Sequence, residues 1–197
     1  MVIRVVSVIG FVAYFELEHG ELLGIEYSYD ARRWRVGLWR MYVVNGRRLY
    51  VFEGYIRAFY VCCSIRISYC TNTTPTSNIF IEGHKCTEVT DADLNAVLPR
   101  CTLSRSTCYR WFRAQVDRIV EYLEGVGEDQ CRELWSRLLA EFGEAQLNAL
   151  CERINTEFGG VCPDEAVYLS LVERNEIIYG RCNIEGKAVG RPTVIRL

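Results

Sequence analysis

Arg35-Val36-Gly37-Leu38-Trp39-Arg40-Met41-Tyr42-Val43-Val44 leads into Asn45-Gly46 and then Arg47-Arg48-Leu49-Tyr50-Val51-Phe52. Two runs of β-branched and aromatic residues flank a pair whose members both tolerate positive φ. That arrangement predicts a two-residue β-hairpin. Counting back from the turn sets the register: Val44 faces Arg47, Tyr42 faces Leu49 and Arg40 faces Val51. Strand alternation then puts Trp39, Met41, Val43, Tyr50 and Phe52 on one face, which is expected to be buried. Arg40, Tyr42, Arg47 and Val51 fall on the exposed face.

The flanking sequence extends the β reading. Val2–Ile9, Phe11–Glu18 and Leu22–Tyr29 read as strands, with Gly10 as a bend, His19-Gly20 as a turn and Asp30–Arg33 as a break. Val5–Phe15 follows Arg4 and is apolar, as a signal segment would be. It is too short to cross a bilayer as a helix and lacks a small-residue cleavage site before Glu16. Its β-branched content fits a buried strand. We therefore expect no membrane association, with residence in the cytoplasm, or in a virion if the chain is viral. Tyr55–Tyr69 continues as strand, and Thr71–Asn78 is a polar loop holding Pro75 and the formal sequon Asn72-Thr73-Thr74.

The period changes near residue 88. Thr90 is a candidate N-cap for a helix over Asp91–Leu98, with Asp93 at the third helical position and Pro99 as the stop. Ser104 or Ser106 caps a second helix to about Glu124, whose apolar stripe is Cys108, Phe112, Val116, Ile119, Val120 and Leu123. Gly125 and Gly127 are expected to end it. A third helix is predicted over Asp129–Phe142. A fourth carries Leu147, Leu150, Cys151, Ile154 and Phe158 and ends at Gly159-Gly160. After Pro163 the pattern returns to β. Ala166–Val172 and Ile177–Cys182 look like a hairpin, and Thr193–Ile195 like an edge strand. The expected fold is α+β: a mostly antiparallel β-sheet with a four-helix segment inserted before a C-terminal β-hairpin. The divisions are a β-rich part at 1–86, a helical segment at 87–160 and a tail at 161–197 that pairs with the N-terminal sheet.

The chain has 197 residues, enough for one sizeable core or two small lobes. Its net charge of −2 means that any nucleic-acid surface must be a local patch. Ten cysteines occur without a single C-x-x-C, so zinc and thioredoxin-type patterns are missing and structural disulfides are expected. Disulfides imply an oxidising compartment or a hyperthermophile cytosol. Lys85 and Lys187 are the only lysines among 23 basic residues, leaving 21 arginines. With scarce glutamine, that composition resembles proteins of hyperthermophilic archaea and their viruses. A GC-rich genome gives the same arginine bias.

Leu103-Ser104-Arg105-Ser106-Thr107-Cys108-Tyr109-Arg110-Trp111-Phe112, with the short helix before it, resembles the recognition helix of helix-turn-helix DNA-binding proteins of the resolvase and transposase type. The resemblance covers about residues 90–113. It implies contacts from Ser104, Arg105, Ser106, Thr107, Tyr109 and Arg110. Hydroxyl side chains beside free N–H groups suit phosphate, and first-turn arginines suit base edges. The connection Pro99-Arg100-Cys101-Thr102 is longer than the compact turn of that family. Arg100 to Arg118 contains five arginines against one acid, Asp117, which adds Arg113 as a candidate. The alternative is an ordinary amphipathic helix with a serine cap.

A second basic region holds Arg32, Arg33, Arg35, Arg40, Arg47, Arg48 and Arg57, interleaved with Trp34, Tyr42 and Tyr55, with Glu53 the only acid between residues 31 and 60. Arg40 and Arg47 on the exposed hairpin face are its contact candidates. Here the alternative is arginines that solvate a sheet and guard its edge. Acids outnumber bases from Glu121 to Glu157, a stretch that suits a protein partner better than nucleic acid. Homo-oligomerisation is compatible with the sequence. Two histidines, His19 and His84, supply no metal-ligand spacing, and no nucleophile–base or phosphate-loop motif occurs, so no metal, cofactor or catalytic residue is assigned. The expectation is a nucleic-acid-binding protein, DNA the first candidate, with a regulatory or genome-associated role. The alternative is a disulfide-stabilised structural or interaction protein, for example a viral component.

Overall fold

Asn45 and Gly46 adopt φ of 51° and 74°, and the strands around them pair Val44 with Arg47, Tyr42 with Leu49 and Arg40 with Val51. The turn chemistry thus sets the register that counting predicts. This hairpin closes one end of a five-stranded antiparallel meander. Its strands are β1 (Val5–Ile9), β2 (Val12–Glu16), β3 (Glu21–Ser28), β4 (Arg33–Val44) and β5 (Arg47–Ile56), in sequential order. A second sheet contains β6 (Ala58–Ser68), β7 (Asn78–Thr90), β8 (Val167–Ser170), β9 (Glu176–Cys182) and β10 (Ala188–Arg196), in the order β10-β9-β7-β6-β8. The described residues also form three helices: α1 (Asp91–Val97), α2 (Arg105–Phe142) and α3 (Glu144–Phe158).

This computed structural model describes residues 4–16, 21–69, 78–159, 167–170, 174–183 and 187–197. The His19-Gly20 turn, the sequon Asn72-Thr73-Thr74 with Pro75, and Gly160 to Pro163 lie outside the described residues. Two compact units emerge, each drawn from three stretches of chain. The first is Met1–Val61, Thr87–Val126 and Tyr168–Val172; the second is Cys62–Cys86, Gly127–Val167 and Glu173–Leu197.

In the first unit, alternation sends Leu23, Ile25, Tyr27, Trp34 and Val36 to one side of the meander, all 0–2% exposed. The start of α2 lies on that side. Phe112 packs 5.7 Å from Trp34, and Trp111 packs 5.0 Å from Tyr27. The opposite side holds Val12, Tyr14 and Leu22, with Trp39, Met41 and Tyr50 packed against them. Gly24 makes room for the indole of Trp39: a Cβ there would lie 2.5 Å from Nε1. In the second unit, Leu134 and Leu138 of α2, Leu147 and Ile154 of α3, Ile81 of β7 and Ile177 of β9 are buried. Disulfides join Cys62 to Cys86 and Cys63 to Cys131, and Cys151 and Cys182 are also oxidised. Cys101 and Cys108 of the first unit remain buried thiols.

The expected α+β class holds, and three expectations within it are corrected. Among the described residues there are three helices rather than four, because α2 runs unbroken through Gly125 and Gly127. A helical glycine costs about 1 kcal/mol relative to alanine. Gly127, however, occupies a buried position in a stripe that continues at helical spacing from Leu123 to Cys131, so packing offsets the propensity. Second, Phe52 and Val43 are 42% and 67% exposed, although they share the side of the sheet on which Trp39, Met41 and Tyr50 pack against Val12, Tyr14 and Leu22. Third, β8 and β9 do not form a hairpin. β8 lies beside β6, β9 pairs with β7, and the C-terminal hairpin is β9–β10. The tail therefore pairs with β6 and β7, which belong to a different sheet from β1–β5.

Candidate nucleic-acid interface

The segment between α1 and α2 is fixed to the first-unit sheet by named polar contacts. α1 begins in a capping box: the Asp93 N–H donates to Thr90 Oγ1 at 3.2 Å and the Thr90 N–H to Asp93 Oδ2 at 2.8 Å. Asn95 exchanges bonds with the Trp34 backbone, accepting from its N–H at 2.8 Å and donating to its carbonyl at 2.9 Å. The Trp34 indole donates to the Pro99 carbonyl at 3.0 Å, and the Cys101 N–H donates to the Tyr27 hydroxyl at 2.9 Å. Arg32, in the left-handed region at φ 51°, donates to the carbonyls of Cys101 and Leu103. These bonds give a physical reason for the long connection. Residues 98–104 satisfy sheet groups, which a compact helix-turn-helix turn does not do.

Helix α2 starts one residue after Ser104. The Ser104 carbonyl accepts the first helical bond from Cys108 at 2.8 Å, and the hydroxyls of Ser104 and Thr107 lie 3.0 Å apart. No acid occupies the first turn, so the positive end of the helix dipole has no carboxylate partner there. Ser104, Arg105, Ser106, Arg110 and Arg113 are exposed and Thr107 is half-buried. Arg110 lies two residues from both Cys108 and Phe112, nearly opposite their buried stripe. Among the described residues, none of Arg105, Arg110 and Arg113 makes an ion pair. Tyr109 behaves differently: its ring packs 5.9 Å from Phe11, half-buried against the sheet.

The other two candidates sit on the hairpin. Arg40 and Arg47 lie on the side of the sheet that carries α2, as the Arg40–Val51 and Val44–Arg47 pairings require. Arg40 is 3.0 Å from Glu53 and shares its charge with it, whereas Arg47 is exposed at the tip. Sequence reasoning does not single out Tyr29. Its ring has the Arg32 guanidinium 4.2 Å from its centroid and that of Arg105 6.0 Å away, and its hydroxyl donates to the Leu103 carbonyl at 3.2 Å. Only its position before a turn that places Arg32 at positive φ marks it in the sequence.

Burial, with the neighbouring Cys101, pushes the Cys108 thiol up to about 12, which leaves no thiolate for nucleophilic work at neutral pH. In the second unit, His84 bridges Ser64 at 2.7 Å and Glu82 at 2.8 Å. A cleft of about 300 Å³ there is lined by Ile79, Ile81, Leu147 and Leu150, with Arg153 at its polar side. Arg153 already pairs with Glu157 at 3.3 Å. Among the described residues no cluster of His, Cys, Asp and Glu could hold a metal ion, and no helix is long and apolar enough to cross a membrane. Comparison of the chain with protein-family models, curated proteins and solved structures finds no match in any of the three.

Proposed function

We propose that this protein binds nucleic acid, double-stranded DNA in the first instance, through the exposed start of α2. The observation that carries the reading is the set Arg105, Arg110 and Arg113, solvent-facing and without carboxylate partners on a helix whose other side is locked into the core by Cys108, Phe112 and Ile119. Such a helix holds the backbone of its arginines in place while their planar guanidinium forks stay free to meet phosphate, and its unopposed N-terminal dipole adds to their field. Ser104, Ser106 and Thr107 supply hydroxyls for phosphate oxygens at the same end. Arg47 extends the basic surface as a backbone contact, and Arg40 contributes less because Glu53 offsets its charge. Tyr109 serves as packing, not as a contact. The long connection between α1 and α2 favours phosphate-dominated binding over the close base readout of a compact helix-turn-helix motif. The sequence and geometry together suit a regulatory or genome-associated role.

Replacing Arg105 and Arg110 together by alanine tests this. Both are surface positions, so stability should change by no more than about 0.5 kcal/mol. Affinity for duplex DNA should fall, and the salt dependence of binding should flatten by about one slope unit per lost phosphate contact. Unchanged affinity in the folded double variant would remove the reading. The competing function is a disulfide-stabilised interaction protein, and the apolar hairpin tip, with Val43 67% and Leu49 53% exposed, favours it.

A further inference from the structure

We propose that a second copy of this chain adds to the free edge of β5, joining two meanders through an antiparallel β5–β5 ladder centred on Tyr50. β5 is the end strand of its sheet, and among the described residues no strand pairs with its outer side. It is ten residues long and contains no proline. Its middle is apolar and open: Leu49 is 53% exposed, Val51 40% and Phe52 42%. Edges of this length are ordinarily protected by charge, proline or a bulge along the strand. Here Arg47 and Arg48 stand at one end, and the register shift that leaves Glu53 unpaired stands at the other.

The direction of the backbone groups follows from the turn. A two-residue hairpin closes on a hydrogen-bonded pair, here Val44 with Arg47, and such pairs then alternate. Tyr42–Leu49 and Arg40–Val51 are therefore hydrogen-bonded pairs, and Leu49 and Val51 aim their main-chain groups at β4. Arg48, Tyr50 and Phe52 aim theirs outward. A two-fold axis can match only residues whose groups point the same way, so the axis must pass through a residue and not between two.

Centring on Tyr50 produces a self-complementary set. Arg48 faces Phe52 of the second copy, as a cation over an aromatic ring. Leu49 faces Val51. Arg47 faces Glu53, twice by symmetry, in addition to the bond that Glu53 already makes to Arg40. Moving the axis by one residue destroys the match. Centred on Val51, Glu53 meets Leu49; centred on Leu49, Arg47 meets Val51. Charge and side-chain type thus select a second copy as the occupant, and one register for it. This inference does not depend on nucleic-acid binding.

Sedimentation velocity over a wide concentration range tests it. The expected result is a reversible dimer. Arg47→Glu and Glu53→Arg should each weaken the dimer by about tenfold, through two like-charge cross-strand pairs. The chain carrying both swaps should dimerise more tightly than either single variant, even though Glu53→Arg also loses the bond to Arg40 within its own chain. Amide exchange at Arg48, Tyr50 and Phe52 should slow as dimer forms. A monomer at every concentration, a dimer indifferent to both single swaps, a double swap without recovery, or rapid exchange of those amides in the dimer would each overturn the proposal.

Discussion

Trp34 and Phe52 both stand in strands of the same sheet, yet their environments differ. Trp34 is fully buried, packs on Phe112 and Trp111, and spends its indole N–H on Pro99. Phe52 is 42% exposed and touches Trp39 and Tyr55. Phe112→Ala, beneath Trp34, should therefore cost about 3–5 kcal/mol in a denaturant titration. Phe52→Ala should cost about 1 kcal/mol, since only part of the ring's burial is lost. Alternation in the sequence assigned Phe52 to the correct side of the strand. It carried no information on how much of that side becomes covered. At Glu82, burial raises the carboxyl pKa, but the hydrogen bond from His84 and the guanidinium of Arg66 outweigh it and hold the group below its usual 4.5. A depressed folded pKa contributes stability that is fully present above the unfolded value and lost as pH falls through the folded one. Glu82→Gln should thus lower the melting temperature at neutral pH, with the difference shrinking below about pH 4.5. Cys101 and Cys108 should resist alkylation in the native protein at neutral pH and react on denaturation without reductant.

At the scale of elements, α2 shows where local signals yield to packing. Cys108, Phe112, Val116, Ile119 and Leu123 form a stripe whose spacing continues through Gly127 to Cys131, Leu134 and Leu138. The continuity was present in the sequence. Gly125 and Gly127 look like terminators by propensity, but the phase of the stripe carries through them. The cap of α1 was legible, since Thr90 and Asp93 form a box by spacing alone, and Thr90→Ala should cost about 1 kcal/mol. Disulfide pairing was not legible, because spacing cannot say which strands become neighbours. Cys63–Cys131 closes a separation of 68 residues and Cys62–Cys86 one of 24. On loop-closure grounds the first should contribute about 4 kcal/mol and the second about 3 kcal/mol, so serine substitution of Cys63 and Cys131 should lower the unfolding midpoint more.

At the scale of the molecule, the sequence disclosed the succession of β, α and β segments but not their division into units. Four of the five boundaries fall inside β6, β7, α2 and β8, within continuous elements that carry no linker composition. β8 and β9 looked like a hairpin because they follow one another, and long-range pairing with β6 and β7 overrode proximity. The candidate interface was half legible. The exposed arginines of α2 follow from helical spacing, whereas the packing of Tyr109 on Phe11 and the place of Tyr29 beside Arg105 depend on residues far away in the chain. On the proposed reading, a net acidic chain binds nucleic acid through a local basic surface. Its most direct test is a titration of the unaltered protein with a DNA duplex at low and at raised salt. Such a surface should show saturable binding whose affinity falls steeply as salt rises, with a slope of about −0.9 for each phosphate neutralised. Absence of binding at low salt, or an affinity indifferent to salt, would contradict it.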